Sequence, residues 1–163
     1  MGRDLIEASR GNSGVAHLNF TQARGQLTQL FNEVVGEHRV AVVARQGDRD
    51  EVAMFKLSDA LDMLSSYRFD TQVRSVDGEV VVEVPEVEIA GVGDSFEDAL
   101  RDASEQIEGY ARRYFERRAF YDQTHRAKHW KYLLRFSLTQ EEDRLELLLS
   151  DSQALLSREL EPA

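Results

Sequence analysis

Three sets of side chains have types and spacings suited to chemistry. The first is cationic. Arg24 falls where the spacing predicts the first turn of a helix opening at Thr21, and Arg45-Gln46 follows an apolar, β-branched run. A positive charge in a first turn opposes the helix dipole. An anionic ligand, such as a phosphate or a guanine edge, would rationalise it; an ordinary surface arginine accounts for it equally well. The second set is His125 and His129, four apart as in a two-histidine metal site. Arg126 follows His125 where the metalloprotease pattern needs Glu, and no third ligand is evident, so exposed or packing histidines are expected. The third set is acidic: Asp70, Glu83, Glu88 and Asp94. RNase H-type hydrolysis needs such carboxylates converging on two metal ions. Nothing in the sequence makes them converge, and a solvated, partly edge-protecting charge pattern is the better reading. The expectation is therefore no enzyme, no catalytic residue, no metal and no cofactor.

Composition narrows the classes further. The chain has 163 residues, 42% hydrophobic, enough for one ordinary domain or two small ones. Cysteine is absent, which excludes disulfide scaffolds, thiolate metal sites and cysteine nucleophiles. No apolar run approaches the roughly 18 residues a membrane helix needs, and no signal-peptide core is visible, so a cytoplasmic protein is expected. The net charge of −10 argues against nucleic-acid binding by the whole surface. Its distribution matters more. Residues 1–66 carry 7 basic and 9 acidic side chains, residues 67–118 carry 7 and 13, and residues 119–163 carry 6 and 8. The first segment is the least handicapped for meeting DNA, and the acidic middle suits a basic partner.

The elements that must position these groups follow from periodicity. Residues 1–14 read as a mobile arm. Residues 15–20 alternate as a short strand with His17 exposed. Thr21 is the expected N-cap of one helix ending near Gly36. That helix places Ala23, Leu27, Leu30, Phe31, Val34 and Val35 on one face, with Gly25 costing about 1 kcal/mol relative to Ala. Residues 40–45 form a buried strand, 46–50 a turn, and 51–56 a returning strand. Ser58 is expected to cap a short helix over 59–65.

This stretch resembles the Phd/YefM family of antitoxins over residues 15–66. The resemblance rests on Thr21, Ala23, Arg24, Leu27, the strand ending Arg45-Gln46, and Leu57-Ser58-Asp59-Ala60-Leu61. The turn in RQGDRDEVAMF is longer and more acidic than the family's usual form. The resemblance implies a β-α-β-β-α unit that dimerises through its sheet and helices and binds a palindromic operator. Arg24 and Arg45 would be its principal DNA contacts, with Thr21 and Gln46 beside them.

Residues 67–75 alternate as a strand, Asp77-Gly78 is a hairpin turn signal, and 79–84 is the returning strand, with a third strand over 87–92. Ser95 with Asp98 approximates a capping box for a helix running to about Arg117. Pro85-Glu86, Gly93-Asp94-Ser95 and Glu97-Asp98-Ala99-Leu100 make residues 67–118 resemble a HicB-type antitoxin domain, a ββ(β)α unit related to a truncated RNase H fold. Residues 119–163 read as a helical C-terminal segment. Thr139 and Glu142 are expected to form a capping box there, and Asp151 to start a last turn. The fold class expected is α+β: a Phd/YefM-like unit, a HicB-like unit and a helical tail.

These resemblances imply an antitoxin of a type II toxin–antitoxin system. It would neutralise a cognate toxin, a basic RNA-cleaving protein of RelE-like type, by direct binding through residues beyond 66. It would repress its own operon as a homodimer or higher oligomer. A DNA-binding regulator without a toxin is the alternative, and an RNase H-like nuclease a more distant one.

Overall fold

The computed structural model describes residues 15–45 and 50–149. The chain divides into two compact units, Met1–Met63 and Leu64–Ala163. Each mixes helices with a three-stranded sheet, in accord with the expected α+β class.

The first unit runs β1 (Val15–Asn19), α1 (Phe20–Gly25), α2 (Leu27–Glu37), β2 (Val40–Ala44), β3 (Glu51–Met54) and α3 (Leu57–Met63). Strand β1 pairs parallel with β2, and β3 pairs antiparallel with β2. A parallel pair needs a crossover connection, which α1 and α2 supply. The core is small: Ala23, Leu30, Val34 and Ala41, flanked by Ala16, Leu18, Val43 and Met54.

The helix expected from a Thr21 cap to Gly36 takes a different form. Asn19 is the cap. Its Oδ1 accepts the Gln22 N–H at 2.9 Å, and the Gln22 Oε1 accepts the Asn19 N–H at 3.0 Å. This reciprocal box needs an acceptor three residues after the cap. Counting from Asn19 gives Gln22; counting from Thr21 gives Arg24, which has only donors. Thr21 therefore lies inside α1. The helix is interrupted at Gln26, whose φ of −123° and ψ of 22° follow directly on Gly25. Helix α2 then runs past Gly36 to Glu37, and His38 supplies the left-handed cap at φ 53°. The His38 ring bridges to α3: Nδ1 lies 2.8 Å from Asp59 Oδ1, and Lys56 Nζ donates to Nε2 at 3.1 Å. Helix α3 begins at Leu57, with Ser58 inside it instead of capping it. The Asp59 and Ala60 N–H groups bond the Lys56 carbonyl.

The second unit runs β4 (Gln72–Val76), β5 (Glu79–Val84), a 3-10 turn (Pro85–Val87), β6 (Ile89–Gly93), α4 (Phe96–Glu116), α5 (Arg118–Tyr121), a 3-10 segment (His125–His129), α6 (Trp130–Leu138), a 3-10 turn (Glu141–Asp143) and α7 (Arg144–Leu149). Asp77 and Gly78, at φ 52° and 88°, form the expected two-residue turn. Ser95 caps α4 as expected, its Oγ accepting the Asp98 N–H at 3.2 Å. Strand β4 begins later than the alternation suggests, because residues 67–71 are committed to packing. Phe69 is fully buried, and the buried Thr71 hydroxyl donates to the Leu148 carbonyl at 2.8 Å. Thr139 ends α6, where it was expected to open a helix; its hydroxyl donates to the Arg135 carbonyl at 2.8 Å.

One core joins the sheet, α4 and the helices after it: Phe69, Val82, Val84, Ile107, Tyr114, Leu133, Phe136 and Leu148 are all buried in it. Strand β6 and α4 meet backbone to backbone. A Cβ at Gly91 would stand 2.2 Å from the Ala99 carbonyl oxygen and 2.3 Å from the Ala103 nitrogen, so only Gly91 facing two alanines permits this approach. Helix α4 also covers the outer edge of β6: Asp102 Oδ2 accepts the Val92 N–H at 2.9 Å, and Gln106 donates to the Ala90 carbonyl at 3.0 Å. Such caps block further strand pairing at that edge. The expected arm over 1–14 and the last turn from Asp151 lie outside the described residues, as does most of the 46–50 turn.

Candidate nucleic-acid interface

The parallel register sets the geometry of the first unit. Asn19 stands opposite Ala44, so α1 and Arg45 leave the sheet from the same end. Thr21, in the first turn of α1, and Arg45, the residue after β2, are both exposed there. Arg24 is exposed too, but it occupies the last turn of α1. That overturns the electrostatic expectation: a cation in a last turn is favoured by the helix dipole. The dipole of α1 therefore provides no reason for an anion at Arg24. Neither Arg24 nor Arg45 has a carboxylate partner among the described residues. Gln46 lies outside the described residues.

The same unit carries an uncovered apolar surface. The six apolar positions expected on one face of a single helix split into two neighbouring stripes. Ala23, Leu30 and Val34 enter the core, whereas Leu27, Phe31 and Val35 remain exposed at i, i+4 and i+8. The contrast is sharp between adjacent residues: Leu30 is 5% exposed and Phe31 58%. Phe20, Val52, Phe55, Leu57 and Met63 add further exposed apolar area in this unit. Among the described residues, so small a core leaves a domain of this size marginal alone.

In the second unit the two histidines separate in role. His125 is exposed, with Nε2 at 3.3 Å from Glu88 Oε2. His129 is fully buried, and its Nδ1 lies 2.9 Å from the Tyr110 hydroxyl. With the tyrosine donating, Nε2 carries the proton. It points toward Glu88 Oε1 at 3.8 Å without a hydrogen bond. Burial holds the His129 pKa below its usual value, against the opposing pull of Glu88. Burial also pushes Tyr110 up to about 12. For Glu88, burial raises the pKa, but the His125 hydrogen bond and the neighbouring His129 and Arg126 outweigh it and bring the value below the usual carboxylate range.

Glu88 itself sits at φ 56°. There it ties the Pro85–Val87 turn to the His125–His129 segment through His125 and Arg126. Of the other acids, Glu83 pairs with Arg74. Among the described residues no group of three or more metal-binding side chains is assembled. The Glu88–Tyr110–His129 cluster escaped sequence reading because its members lie far apart in the chain. Only the His125/His129 spacing hinted at it.

The comparisons with known proteins bear on this arrangement. The family model described as PHD-like, antitoxin of toxin–antitoxin, RelE/RelB, TA system, matches residues 15–150. The chain belongs to this antitoxin family. The match spans both units, so the second unit is part of the family's architecture. A crystal structure of an antitoxin part of a proposed toxin/antitoxin system from Syntrophomonas wolfei subsp. wolfei shares the antitoxin's fold. Its TM-score is 0.65 at 20% sequence identity, over 80% of this chain and 93% of that one. No curated protein matches the chain in sequence. Among the described residues no helix is long and apolar enough to cross a membrane.

Proposed function

We propose that the protein is a cytoplasmic antitoxin of a type II system with a division of labour between its units. The first unit pairs with a second copy of itself and binds operator DNA. The second binds and neutralises a cognate toxin, a basic ribonuclease of RelE-like type. The observation that carries the reading is the family match across residues 15–150. The Phd/YefM-like and HicB-like resemblances supply the assignment of roles.

Physical features support each part. The Leu27–Phe31–Val35 stripe is continuous with the stripe filling the core, so a symmetric partner would complete the domain. Covering these three half-exposed apolar side chains is worth roughly 2–4 kcal/mol before association costs. Thr21 and Arg45 emerge at one end of the sheet, and pairing would present two such sets to a palindromic site. The concentration of acidic residues in 67–118 complements a basic toxin. Of the four carboxylates Asp70, Glu83, Glu88 and Asp94, Glu83 pairs with Arg74 and Glu88 with Arg126, which supports a binding role.

Two experiments test the reading. Co-expression with the product of the neighbouring gene should restore growth and give a complex that co-purifies; absence of both removes the antitoxin role. In a gel shift on the native upstream sequence, Arg24→Ala and Arg45→Ala should each weaken binding by about tenfold. Unchanged affinity in both variants rules out these contacts and leaves toxin binding to be judged separately.

A further inference from the structure

The charge of the second unit is divided along the chain. Residues 67–111 carry three Arg and Lys against twelve acidic residues, whereas residues 112–135 carry eight against two. A chain of net −10 thus contains a segment of net +6. The fold gathers this segment at the C-terminal turn of α4, α5, the His125–His129 segment and the start of α6. The Arg118 guanidinium lies 4.5 Å from the centre of the Trp130 ring and 5.9 Å from that of Tyr114, and Lys131 Nζ lies 5.8 Å from the same Trp130 ring. Arg113 and Arg126 line a cavity beside Tyr110 that Glu88, Asp102 and Glu105 also line, so that wall is of mixed charge and the cationic surface lies outside it. Some of the cations are committed: Arg118 to Asp122 and Arg126 to Glu88. Arg112, Arg113, Arg117, Lys128 and Lys131 have no carboxylate partner among the described residues.

Two flat rings in the same stretch are exposed, Phe120 at 64% and Phe115 at 36%. Both are braced from below. Phe115 meets Tyr114 edge-on with centroids 5.8 Å apart, and Phe120 meets Tyr121 edge-on at 5.4 Å. Tyr114 and Tyr121 are themselves stacked at 4.6 Å and 14°.

We propose that this end of the second unit binds single-stranded nucleic acid, with the free cations on phosphates and Phe115 and Phe120 stacking on bases. Cations interleaved with exposed aromatic rings are the arrangement that such ligands need. A duplex has its base faces already stacked and would leave the rings idle. An acidic protein segment would engage the cations and bury the rings as apolar anchors without stacking on them, a difference that the competition below reads out.

The test uses the full chain carrying Arg24→Ala and Arg45→Ala, so that the contacts proposed for operator DNA do not contribute. The ligand is a fluorescent oligouridylate of about 15 nucleotides, followed by anisotropy across salt. Binding should occur near 50 mM salt and weaken steeply as salt rises. Phe120→Ala should lower affinity about tenfold with the circular dichroism unchanged. Joint Arg112→Ala and Arg117→Ala substitution should flatten the salt slope by about one to two. Three results would overturn the proposal: no binding at low salt, no effect of Phe120→Ala, or equal binding of duplex. Displacement by polyglutamate as effective as by unlabelled oligouridylate would also overturn it, and would assign the surface to an acidic protein.

Discussion

The two units solve the same problem, burying a three-stranded sheet under helices, to different degrees. In the second, fourteen buried residues form one cluster, and α4 covers both the face of the sheet and the outer edge of β6. In the first, four buried residues among those described form the cluster, and Leu27, Phe31 and Val35 of α2 stay exposed. The contrast fits the proposed pairing of the first unit with a second copy.

The largest expected effect strikes the complete unit. Gly91→Val inserts a side chain where even a Cβ collides with three backbone atoms of α4. It should destabilise the second unit by more than about 3 kcal/mol, read as the loss of its denaturation transition. Leu133→Ala, at a fully buried position, should cost about 2–5 kcal/mol and be independent of protein concentration. Phe31→Asp probes the other unit. On an isolated domain a substitution at so exposed a position would change stability by less than about 0.5 kcal/mol. If a second copy covers Phe31, the first unit should instead lose several kcal/mol and its melting should no longer depend on concentration.

Smaller effects follow from single groups. Because burial lowers the His129 pKa in the folded chain, the unfolded chain binds the proton more readily. Stability should be complete above the ordinary histidine value of about 6.5 and fall as pH drops through it toward the folded-state value. Tyr110 acts at the opposite limit. Its pKa rises from 10 to about 12, so stability should fall as pH climbs through that interval. Replacing Tyr110 with Phe should remove the alkaline limb, which separates it from general base denaturation. Asn19→Ala should cost about 1 kcal/mol, confined to the first unit, while Thr21→Ala should cost much less because Thr21 is not the cap. Arg101→Ala, breaking exposed pairs on α4 with Glu97 and Asp98, should cost about 0.5 kcal/mol or less.

What could be read from sequence was what depends on near neighbours. The alternation of 79–84, the Asp77-Gly78 turn and the Ser95 cap are each set within a few residues, and each appears as expected. The Asn19 cap was equally local. Thr21 offers a capping hydroxyl just as Asn19 offers an amide oxygen, and Gln22 three residues after Asn19 is the signal that decides between them. The interruption at Gln26 was less accessible, since Gly25 alone weakens a helix without breaking it. The division of the α2 arc into a covered and an uncovered stripe depends on where the sheet lies. So does the meeting of Glu88, Tyr110 and His129. For Arg24 and Arg45, composition supplied the charge, but the parallel register of β1 with β2 decided where each emerges. The basic stretch over 112–135 was legible in principle. A boundary drawn at residue 118 averaged it into two acidic segments.

The contrast between the units is tested most directly by sedimentation equilibrium of the full chain beside its Phe31→Asp variant, with circular dichroism on the same samples. The account predicts a dimer for the native chain and a monomer for the variant, the variant losing the first unit's structure and keeping the second's. A native chain that sediments as a monomer with both units folded would contradict it.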